Sequence, residues 1–450
     1  MTSQAFQRYA EQSVPRYTSY PTAPHFSDAV NADIYQGWLE RLDPDQPVSL
    51  YLHVPFCRQI CWYCGCNMKL ASRRAPLSEY TSTLMREIDT LAGNLPGRMT
   101  ISHLHWGGGT PTVLTPDDFE ATMEAVWNRF ERSDDAELAV ECDPRTLAKA
   151  MIERIGTLGF TRASFGVQEF DPRVQAAINR IQPPEMVRTA VDELRSAGVA
   201  SINFDLIYGL PHQTTETLLN TIDLCAEMRP DRIALFGYAH VPWMAKKQRL
   251  IDESALPRSA ARVEQATAAA EALLRAGYVA IGLDHFALPD DDMAIALKNG
   301  TLRRNFQGYT TDNAQALLGV GATSISRTPE GFTQNTVETG AWARSVEEGR
   351  LPIAKGRALI GQDALRGYVI ETLMCLGRVD LHAAARKFGA PEKWYASSAG
   401  LLTDLMREGL IDFAAGKLIL TEAGKPLVRV VASAFDEYLS AKKARHAVAV

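Results

Sequence analysis

Short apolar segments and amphipathic helical segments alternate from about Val48 to Ala287, and this alternation constrains the fold more than any other feature. The predicted strands are Val48–Val54, Ile101–His105, Glu137–Glu141, Arg162–Gly166, Ile202–Tyr208, Ile233–Tyr238 and Val279–Leu283. The predicted helices, in which apolar residues recur every three or four positions, include Tyr80–Leu91, Leu147–Leu158, Met186–Ala197 and Ala260–Ala276. Strands that alternate with helices predict an α/β fold of parallel βα units. The strand count fits an open or partial (β/α) barrel as well as a doubly wound sheet, and in both folds ligands bind at the carboxyl ends of the strands.

The two ends of the chain depart from this pattern. Residues 1–46 show little periodicity, and composition alone predicts that the segment Val14–Thr22 lies exposed on the surface. Beyond about Ile360 the sequence is mainly helical, and Leu401–Ile411 followed by Lys417–Thr421 predicts a winged-helix-like module. We therefore expect an N-terminal arm at residues 1–46, a catalytic domain at residues 47–355 and a mainly helical C-terminal domain at residues 356–450.

Charge and hydropathy limit the partners of the chain. The net charge of −6 does not favour binding to nucleic acid or anionic lipid, both of which are negatively charged. The acids Asp404, Glu408 and Asp412 argue against DNA binding by the C-terminal module. The first residues lack the apolar run of a signal peptide, and no stretch approaches the ~18 apolar residues of a membrane span. We expect a cytoplasmic monomer that acts on a small molecule, with neither nucleic acid nor membrane as a partner.

Four of the seven cysteines fall within ten residues, directly after the first predicted strand. Cys57, Cys61 and Cys64 have the spacing C-x3-C-x2-C, and Cys66 follows. Three thiolates on one short loop can bind three irons of a [4Fe-4S] cubane and leave the fourth iron open for a ligand. A zinc site would require a fourth ligand and usually C-x2-C pairs, so it is the weaker interpretation. The scattered Cys142, Cys225 and Cys375 are predicted to be core residues.

Further candidate binding residues lie at the ends of later strands. Gly107–Gly109 follow an apolar run and lack the Gly-Lys-Ser/Thr ending of a phosphate loop, which favours close approach of the backbone to another ligand. Glu141, Gln168 and Asp205 are polar residues at or near the ends of three successive apolar strands, where an unpaired polar group is costly. Each one taken separately could be a structural residue with satisfied hydrogen bonds, but three in succession favour a binding site.

The cysteine loop resembles that of the radical S-adenosylmethionine (SAM) superfamily. Within this superfamily the sequence resembles the oxygen-independent coproporphyrinogen III oxidase family across nearly the whole chain. The motifs that carry this resemblance are Val14–Thr22, Cys57–Cys66, His105–Thr112, Glu141–Arg145, Gly166–Phe170, Asp205–Pro211, Tyr238–His240, Asp284–Phe286 and Arg304–Thr311. Two positions depart from the family pattern, because Tyr63 stands where Phe is usual and Gly237 stands where Asn is expected.

The resemblance implies a fold, a set of cofactors and a reaction. The fold would be the partial (β/α) barrel of radical SAM enzymes, and the cofactors would be a [4Fe-4S] cluster on Cys57, Cys61 and Cys64 and two SAM molecules. The residues that it assigns to SAM are Tyr51, Tyr63, Gly108, Gly109, Thr110, Glu141, Gln168, Arg180, Asp205, Ala239 and Ile325. The reaction would convert two propionates of coproporphyrinogen III to vinyl groups, giving protoporphyrinogen IX, with electrons from a donor such as flavodoxin or ferredoxin.

The implied substrate carries four carboxylates, so an acidic protein needs local cations to bind it. We predict catalytic roles for Cys66, Arg16 and Gln307, with Arg304 beside Gln307 as a second candidate cation. Two alternatives remain open, namely a haem-binding chaperone of the same family and a radical SAM methyltransferase or cyclopropanase. The arm Val14–Thr22 argues against both, Cys66 argues against the chaperone, and Asn305–Thr311 argue against the methyltransferase.

Overall fold

The computed structural model describes residues 8–9, 12–71 and 73–439. Residues 1–7 and 10–11 of the predicted arm and residues 440–450 of the predicted C-terminal domain lie outside this part. The chain divides into two compact units, a larger one at 27–277 and 312–357 and a smaller one at 1–26, 278–311 and 358–450. Residues 278–311, which the sequence-based division includes in the catalytic domain 47–355, group by contact with the described residues of 1–26 and 358–450, and the predicted domain bounds stay a prediction.

The chain forms helices and strands in nearly the order expected from its sequence. The strands are β1 Val48–Val54, β2 Phe56–Cys57, β3 Lys69–Leu70, β4 Thr100–Gly108, β5 Glu131–Cys142, β6 Arg162–Gln168, β7 Ser201–Tyr208, β8 Arg232–Gly237, β9 Val279–Ile281, β10 His285–Ala287, β11 Arg303–Asn305, β12 Gly308–Thr310, β13 Ala316–Val320, β14 Ile325–Thr328, β15 Gly331–Asn335, β16 Ile353–Ala358, β17 Arg378–Asp380, β18 Ile411–Ala414 and β19 Lys417–Leu420. The α-helices are α1 Ala32–Leu39, α2 Ala75–Ala92, α3 Pro116–Arg129, α4 Lys149–Thr157, α5 Pro172–Ala177, α6 Pro184–Ser196, α7 Thr215–Met228, α8 Ser259–Arg275, α9 Asp292–Asn299, α10 Thr339–Glu347, α11 Asp363–Leu376, α12 Leu381–Phe388, α13 Ala399–Arg407 and α14 Val428–Ser433.

A parallel sheet organises the larger unit. Its strands lie in the order β16-β15-β14-β13-β1-β4-β5-β6-β7-β8. Each neighbouring pair from β13 through β1 to β8 is parallel, which confirms the predicted βα units. The pairs β13–β14 and β14–β15 are antiparallel, and none of these strands was predicted from the sequence.

Strand β1 shows how this sheet presents polar side chains to a site. Leu50, Leu52 and Val54 are at most 1 % exposed and belong to the core. Tyr51 and His53 alternate with them and are only partly buried. Since successive side chains of a strand point to opposite faces, the polar pair lies on the face away from these three apolar residues.

One predicted strand differs from the prediction in both length and partner. The run Val279–Leu283 was expected to join the parallel sheet, but β9 ends at Ile281 and pairs antiparallel with β10, with Ile281 opposite His285. The reason is local, because Gly282 follows Ile281 with φ +58 and reverses the chain before a longer strand can form.

The smaller unit buries the arm that composition had placed on the surface. Val14, Tyr17 and Tyr20 are 3–5 % exposed and belong to one apolar cluster with residues of α11 and of the C-terminal helices. Tyr17 donates its hydroxyl hydrogen bond to Asp436 over 3.0 Å. Arg429 donates to the carbonyls of Val14 and Pro15, the latter over 3.0 Å. The prediction of a surface arm was therefore wrong, because its aromatic side chains have apolar partners more than 340 residues away in the sequence.

The C-terminal part has the predicted winged-helix-like elements. Helices α12 and α13 precede the antiparallel hairpin β18–β19, and β17 adds a third strand in the order β17-β19-β18. Across the described ranges 8–9, 12–71 and 73–439, no helix combines the length and the apolar composition needed to cross a bilayer.

Candidate functional site

The cysteine loop connects β1 to α2, and its two ends are held side by side. Strand β2, which contains Cys57, pairs in parallel with β3, so that Cys57 lies opposite Leu70. Ala71 donates its N–H to the carbonyl of Cys57 over 3.0 Å. In the middle of the loop, Trp62 donates its N–H to the carbonyl of Ile178 over 3.0 Å, and the Asn179 side chain donates to Ile60 over 2.7 Å. The C-x3-C-x2-C segment is therefore tied both to itself and to the region after α5.

The three cysteines of the spacing motif are free thiols with different surroundings. Burial raises the pKa of Cys57 to about 11, although a contact of 3.5 Å with the Thr110 hydroxyl partly opposes this shift. The pKa of Cys64 is lowered to about 6, chiefly by hydrogen bonding from Cys66 and also by the nearby charge of Lys247. The backbone N–H of Cys66 lies 3.4 Å from the Cys64 sulfur, and the Cys66 residue itself is exposed.

Within the described residues, no group of three or more His, Cys, Asp or Glu side chains is arranged around one point to hold a single metal ion. In an iron-sulfur cubane each thiolate binds a different iron, so the three sulfurs need not converge.

Two arginines surround the sulfur of Cys61. Arg145 and Arg180 each donate a guanidinium N–H to this sulfur, over 3.3 and 3.4 Å. Asp143 holds both arginines, at 2.6 Å from Arg145 and 3.5 Å from Arg180. The side chains of all three are less than 10 % exposed. Arg180 had been assigned to SAM and is placed here beside a cysteine, whereas Arg145 and Asp143 were not singled out as site residues.

The glycine-rich turn at the end of β4 runs beside the cysteine loop. Gly109 and Thr110 donate their N–H groups to the carbonyls of Val54 and Phe56, each over 2.8 Å. A Cβ atom at Gly109 would lie 2.5 Å from the carbonyl oxygen of Phe56, and one at Gly108 would lie 2.7 Å from the His53 ring. Neighbouring protein atoms already require glycine here, so the predicted contact of Gly108, Gly109 and Thr110 with SAM is not needed to explain the motif.

Glu141, at the end of β5, has hydrogen-bond partners on both carboxylate oxygens. His105 lies 3.1 Å from Oε1, and the Gly108 N–H donates to Oε2 over 3.0 Å. Burial favours the protonated form, but these contacts and the His105 charge prevail and lower the pKa of Glu141 below its usual value. The partner that the sequence required is thus supplied by the protein itself. His105 appears in the sequence analysis only as part of the motif His105–Thr112, and nothing in its position along the chain indicates that it contacts Glu141.

Tyr51 and His53 extend this polar group on β1. The Tyr51 ring stacks on His105 with centroids 5.8 Å apart, and its hydroxyl lies 3.0 Å from Nδ1 of His53. Burial lowers the pKa of His53 to about 4, so its ring is neutral near pH 7. Its Nε2 atom is buried and has no hydrogen-bond partner among the described residues. His53 was missed at the sequence level because a histidine on a strand is not distinctive.

Gln168 and Asp205 lie at or near the ends of neighbouring strands, as expected. Gln168 has φ +67, and its buried side-chain oxygen has no partner within the part of the chain described here. The conformation of Gln168 is rare for a non-glycine residue and often marks a functional position. Asp205 accepts a hydrogen bond from the Asn203 side chain over 3.0 Å. Of the two, Gln168 has the unfilled hydrogen-bonding capacity that a ligand could satisfy.

Tyr63 and Ala239 are brought together by a residue that sequence reasoning missed. The Gln248 side chain donates to the carbonyl of Tyr63 over 2.7 Å and to that of Ala239 over 3.2 Å. Ile325 begins β14 and lies against Gly319 of β13, the strand next to β1. No contact in the described ranges connects Ile325 to the cysteines.

The predicted substrate residues lie in the smaller unit, where they form a separate group of charges. Arg304 is 8 % exposed, donates to the carbonyl of Arg16 over 3.4 Å and lies over the Tyr309 ring at 4.4 Å. Its Nε and Nη1 atoms are buried and have no hydrogen-bond partner in the described residues. The backbone N–H of Gln307 donates to the Asn305 side chain over 2.9 Å.

The pKa values of Asp284 and Arg429 are shifted by the other charges of this group. Although burial favours the protonated form of Asp284, the His285 contact and the charges of Arg304 and Arg16 lower its pKa to about 2. The pKa of Arg429 is lowered to about 10 by burial and then by the charge of Arg16. Arg16, Arg304 and Arg429, with Asp284 as an acidic neighbour, are called the arginine cluster below.

Comparisons with known proteins agree over the whole chain. The sequence model of the radical SAM superfamily matches residues 51–225. The chain is 49% identical to an oxygen-independent coproporphyrinogen III oxidase from Bradyrhizobium diazoefficiens, over 98% of each chain. It is 45% identical to one from Cereibacter sphaeroides, over 94% of each chain. The solved structure of coproporphyrinogen III oxidase (HemN) from Escherichia coli, described as a radical SAM enzyme, superimposes with a TM-score of 0.91 at 36% identity and covers 95% of this chain and 100% of that one.

Proposed function

The chain belongs to the oxygen-independent coproporphyrinogen III oxidases, a family of radical SAM enzymes, and we propose that it oxidatively decarboxylates two propionate side chains of coproporphyrinogen III. Each propionate loses one hydrogen atom, CO2 and one further electron, which passes to an electron acceptor, and becomes a vinyl group, so that the product is protoporphyrinogen IX in haem or porphyrin synthesis. The observation that carries this proposal is identity of 49% over 98% of the chain, which includes the arm and the C-terminal part as well as the cysteine loop.

We propose that Cys57, Cys61 and Cys64 hold a [4Fe-4S] cluster whose open iron binds SAM, and the thiol donor set fits this group. The cluster and SAM, when bound, supply the radical chemistry of the reaction. The closed loop fixes the positions of the cysteines, and Arg145 and Arg180 donate hydrogen bonds to the sulfur of Cys61. N–H groups that point at a cluster sulfur stabilise the extra negative charge of its reduced form.

The proposed SAM contacts combine backbone and side-chain groups at the strand ends. The Gln168 side-chain oxygen is buried without a partner, and it would accept a hydrogen bond from SAM. Tyr63 would offer an aromatic face to an adenine ring. The remaining proposed contacts are Tyr51, Gly108, Gly109, Thr110, Glu141, Arg180, Asp205, Ala239 and Ile325. Two SAM molecules per chain remain part of the proposal.

We further propose that the arginine cluster binds a propionate carboxylate of the substrate. Two guanidinium nitrogens of Arg304 are buried and have no partner within the described part of the chain, which is costly unless a hydrogen-bond acceptor is bound there. The pKa of Arg429 is lowered first by burial and then by repulsion from the charge of Arg16, with a smaller contribution from Arg304. A carboxylate would satisfy the free donors and relieve this repulsion. Catalytic roles for Cys66, Arg16 and Gln307 stay part of this proposal.

The remaining features follow from the reaction class. The reaction needs one electron from a donor such as flavodoxin or ferredoxin, and we propose a cytoplasmic monomer without a nucleic-acid or membrane partner. A haem-binding chaperone and a methyltransferase or cyclopropanase are the alternatives. Similarity to proteins named as oxidases, over 98% and 94% of this chain, favours the oxidase over both.

The test is anaerobic reconstitution of the full chain with iron and sulfide, followed by incubation with SAM, a reductant and coproporphyrinogen III. Formation of protoporphyrinogen IX with CO2 and 5'-deoxyadenosine is the expected result. A methylated product with S-adenosylhomocysteine would identify a methyltransferase instead. Tight haem binding without any turnover would identify the chaperone.

A further inference from the structure

The cysteine loop and the segment that touches it carry an unusual local charge. From Cys57 to Ser78 the sequence contains Arg58, Lys69, Arg73 and Arg74 but no Asp or Glu. The segment Val241–Ile251 contains three more cations and no acid. The whole chain carries a net charge of −6, so both segments run against the charge of the protein.

These two segments are in direct contact. The Lys247 ammonium donates to the carbonyl of Cys66 over 2.9 Å, and the Gln248 side chain donates to that of Tyr63 over 2.7 Å. Strand pairing places Lys69 and Leu70 beside Phe56 and Cys57. Lys69 and Lys247 therefore lie beside the loop that carries the three proposed cluster ligands.

The same segments expose large apolar side chains. Leu70 is 54% exposed, Trp243 51%, Met244 73% and Leu250 60%. Arg73, Arg74, Lys246 and Arg249 are exposed as well. Exposed apolar side chains grouped beside charged ones are typical of a protein interaction site. The exposed residues of Arg58–Arg74 and Trp243–Leu250 are called the loop surface below.

Most of these cations are available to a partner. Among the described residues, Arg73, Arg74, Lys246 and Arg249 form no salt bridge. Lys69 is the exception, because it lies 3.7 Å from Glu338 and donates to the Thr339 hydroxyl over 2.6 Å. The acids Asp252 and Glu253 follow directly after the second segment, and the Glu253 carboxylate lies 3.0 Å from the ring of His240.

We propose that the loop surface is the docking site of a small acidic electron-transfer protein, which carries a flavin or an iron-sulfur centre near its own surface. This inference rests on the proposed function, because that reaction needs an electron at the cluster. An acidic partner matches seven cations on an otherwise acidic protein, and opposite charges raise the rate of encounter. The exposed apolar side chains give the small contact area that is typical of transient redox complexes.

The test compares two reductants on the reconstituted full-length protein. Arg73→Glu/Arg74→Glu reverses two cations of the loop surface, and Arg86→Glu/Lys298→Glu makes the same change in net charge at exposed positions of α2 and α9 that form no salt bridge among the described residues. Cluster reduction is followed by stopped-flow absorbance, with reduced flavodoxin in one series and dithionite in the other. Dithionite is a small molecule that needs no docked surface.

We expect the Arg73→Glu/Arg74→Glu protein to be reduced by flavodoxin roughly tenfold more slowly or worse, and by dithionite at the parental rate. The control pair should match the parent with both reductants. Equal slowing by both reductants, or equal slowing of the control pair by flavodoxin, would overturn the docking site.

A second measurement covers the case in which the charge-reversed protein does not retain its iron. The rate of reduction of the parent by flavodoxin should fall steeply as ionic strength rises, and Trp243→Ser/Met244→Ser should slow it without altering the dithionite rate. A salt-independent flavodoxin rate together with a parental rate in the serine variant would refute the docking site. Both readouts follow cluster reduction, so they stay informative even if coproporphyrinogen III is not the substrate.

Discussion

The cysteine loop of the larger unit and the arginine cluster of the smaller unit are built in opposite ways. The loop takes its three cysteines from eight consecutive residues and is closed by the local pairing of β2 with β3. The arginine cluster takes Arg16, Asp284, Arg304 and Arg429 from four distant parts of the sequence. The comparison teaches that a proposed cofactor-binding loop can be encoded in one short motif, whereas the proposed carboxylate site is assembled by the fold.

The two regions also differ in how well their polar groups are satisfied. Around Cys61 each guanidinium has a carboxylate and a carbonyl or amide partner as well as the sulfur. In the arginine cluster, two nitrogens of Arg304 are buried and have no hydrogen-bond partner among the residues that the structure describes. A satisfied network holds a prosthetic group in place, and an unsatisfied one is ready to bind a ligand.

The largest expected effect comes from the loop itself. Cys57→Ser, Cys61→Ser or Cys64→Ser should each abolish the broad visible absorption of the reconstituted cluster and all SAM cleavage, because one iron loses its ligand. Cys375→Ala, at a buried thiol of the smaller unit, is the matched control and should keep both. Full iron content and SAM cleavage in any of the three serine variants would disprove the assignment of that cysteine.

Cys66 distinguishes binding of the cluster from the reaction on the substrate. It is exposed, and its backbone N–H and its thiol contact Cys64. Because we do not propose it as a cluster ligand, Cys66→Ser should retain iron and visible absorption. We expect the same variant to lose decarboxylation of coproporphyrinogen III. Parallel loss of iron would show that Cys66 supports the cluster, and full activity would show that its thiol takes no part in the reaction.

A substitution of Arg304 tests whether the arginine cluster binds the substrate. Arg304→Met should leave iron content and SAM cleavage unchanged but lower kcat/KM for coproporphyrinogen III by roughly 10- to 100-fold, as expected for one charge-assisted hydrogen bond. Arg303→Met removes a neighbouring arginine that pairs with Glu371 at 2.8 Å, and it should have little effect. If both variants lose the same fraction of activity, Arg304 has only a structural role.

Arg145 should have a smaller and different effect. Arg145→Gln removes a positive donor 3.3 Å from the Cys61 sulfur, so the midpoint potential of the cluster should become more negative. The expected shift is tens of millivolts, since about 59 mV corresponds to a tenfold change for one electron. An electron paramagnetic resonance titration measures it, with Arg129→Gln on the exposed surface as the control for net charge. An unchanged potential with full iron content would show that the contact does not reach the cluster.

The smallest effects concern pH, and the two units should respond with opposite signs. The pKa of Asp284 is lowered to about 2 in the folded chain, so its contribution of about 2 kcal/mol is present above pH 4 and is lost as the pH falls toward 2. Burial raises the pKa of Glu87 in α2 to about 7, although hydrogen bonds from three donor groups partly oppose this shift. The charged form of Glu87 therefore lowers the stability of the fold increasingly as the pH rises from about 4.5 to 7.

Hydrogen-deuterium exchange of the apoprotein at several pH values, corrected for intrinsic exchange rates, measures both effects. Asp284→Asn should remove the loss of protection below pH 4 around β10 and β11. Glu87→Gln should remove the loss of protection between pH 4.5 and 7 in α2. The opposite slope at either position would contradict the charge states derived from the contacts.

Features that depend on neighbouring residues were predictable from the sequence alone. The strand Val48–Val54 and the start of α3, where Thr115 accepts a hydrogen bond from the Asp118 N–H, match the structure, while the assignment of Cys57, Cys61 and Cys64 to a cluster stays a prediction. The burial of Cys142, Cys225 and Cys375 is also as predicted. Each of these depends on local periodicity, capping or spacing, which a linear sequence records directly.

The tertiary structure alone decided which distant residues meet. It buried Val14, Tyr17 and Tyr20, and it placed Arg145 on Cys61 and His105 on Glu141. Such contacts join residues that are not neighbours in the sequence, and they leave no periodic signal in it. The sequence therefore determined the chemistry of the cysteine loop, whereas the fold determined its hydrogen-bond partners and gathered the arginine cluster.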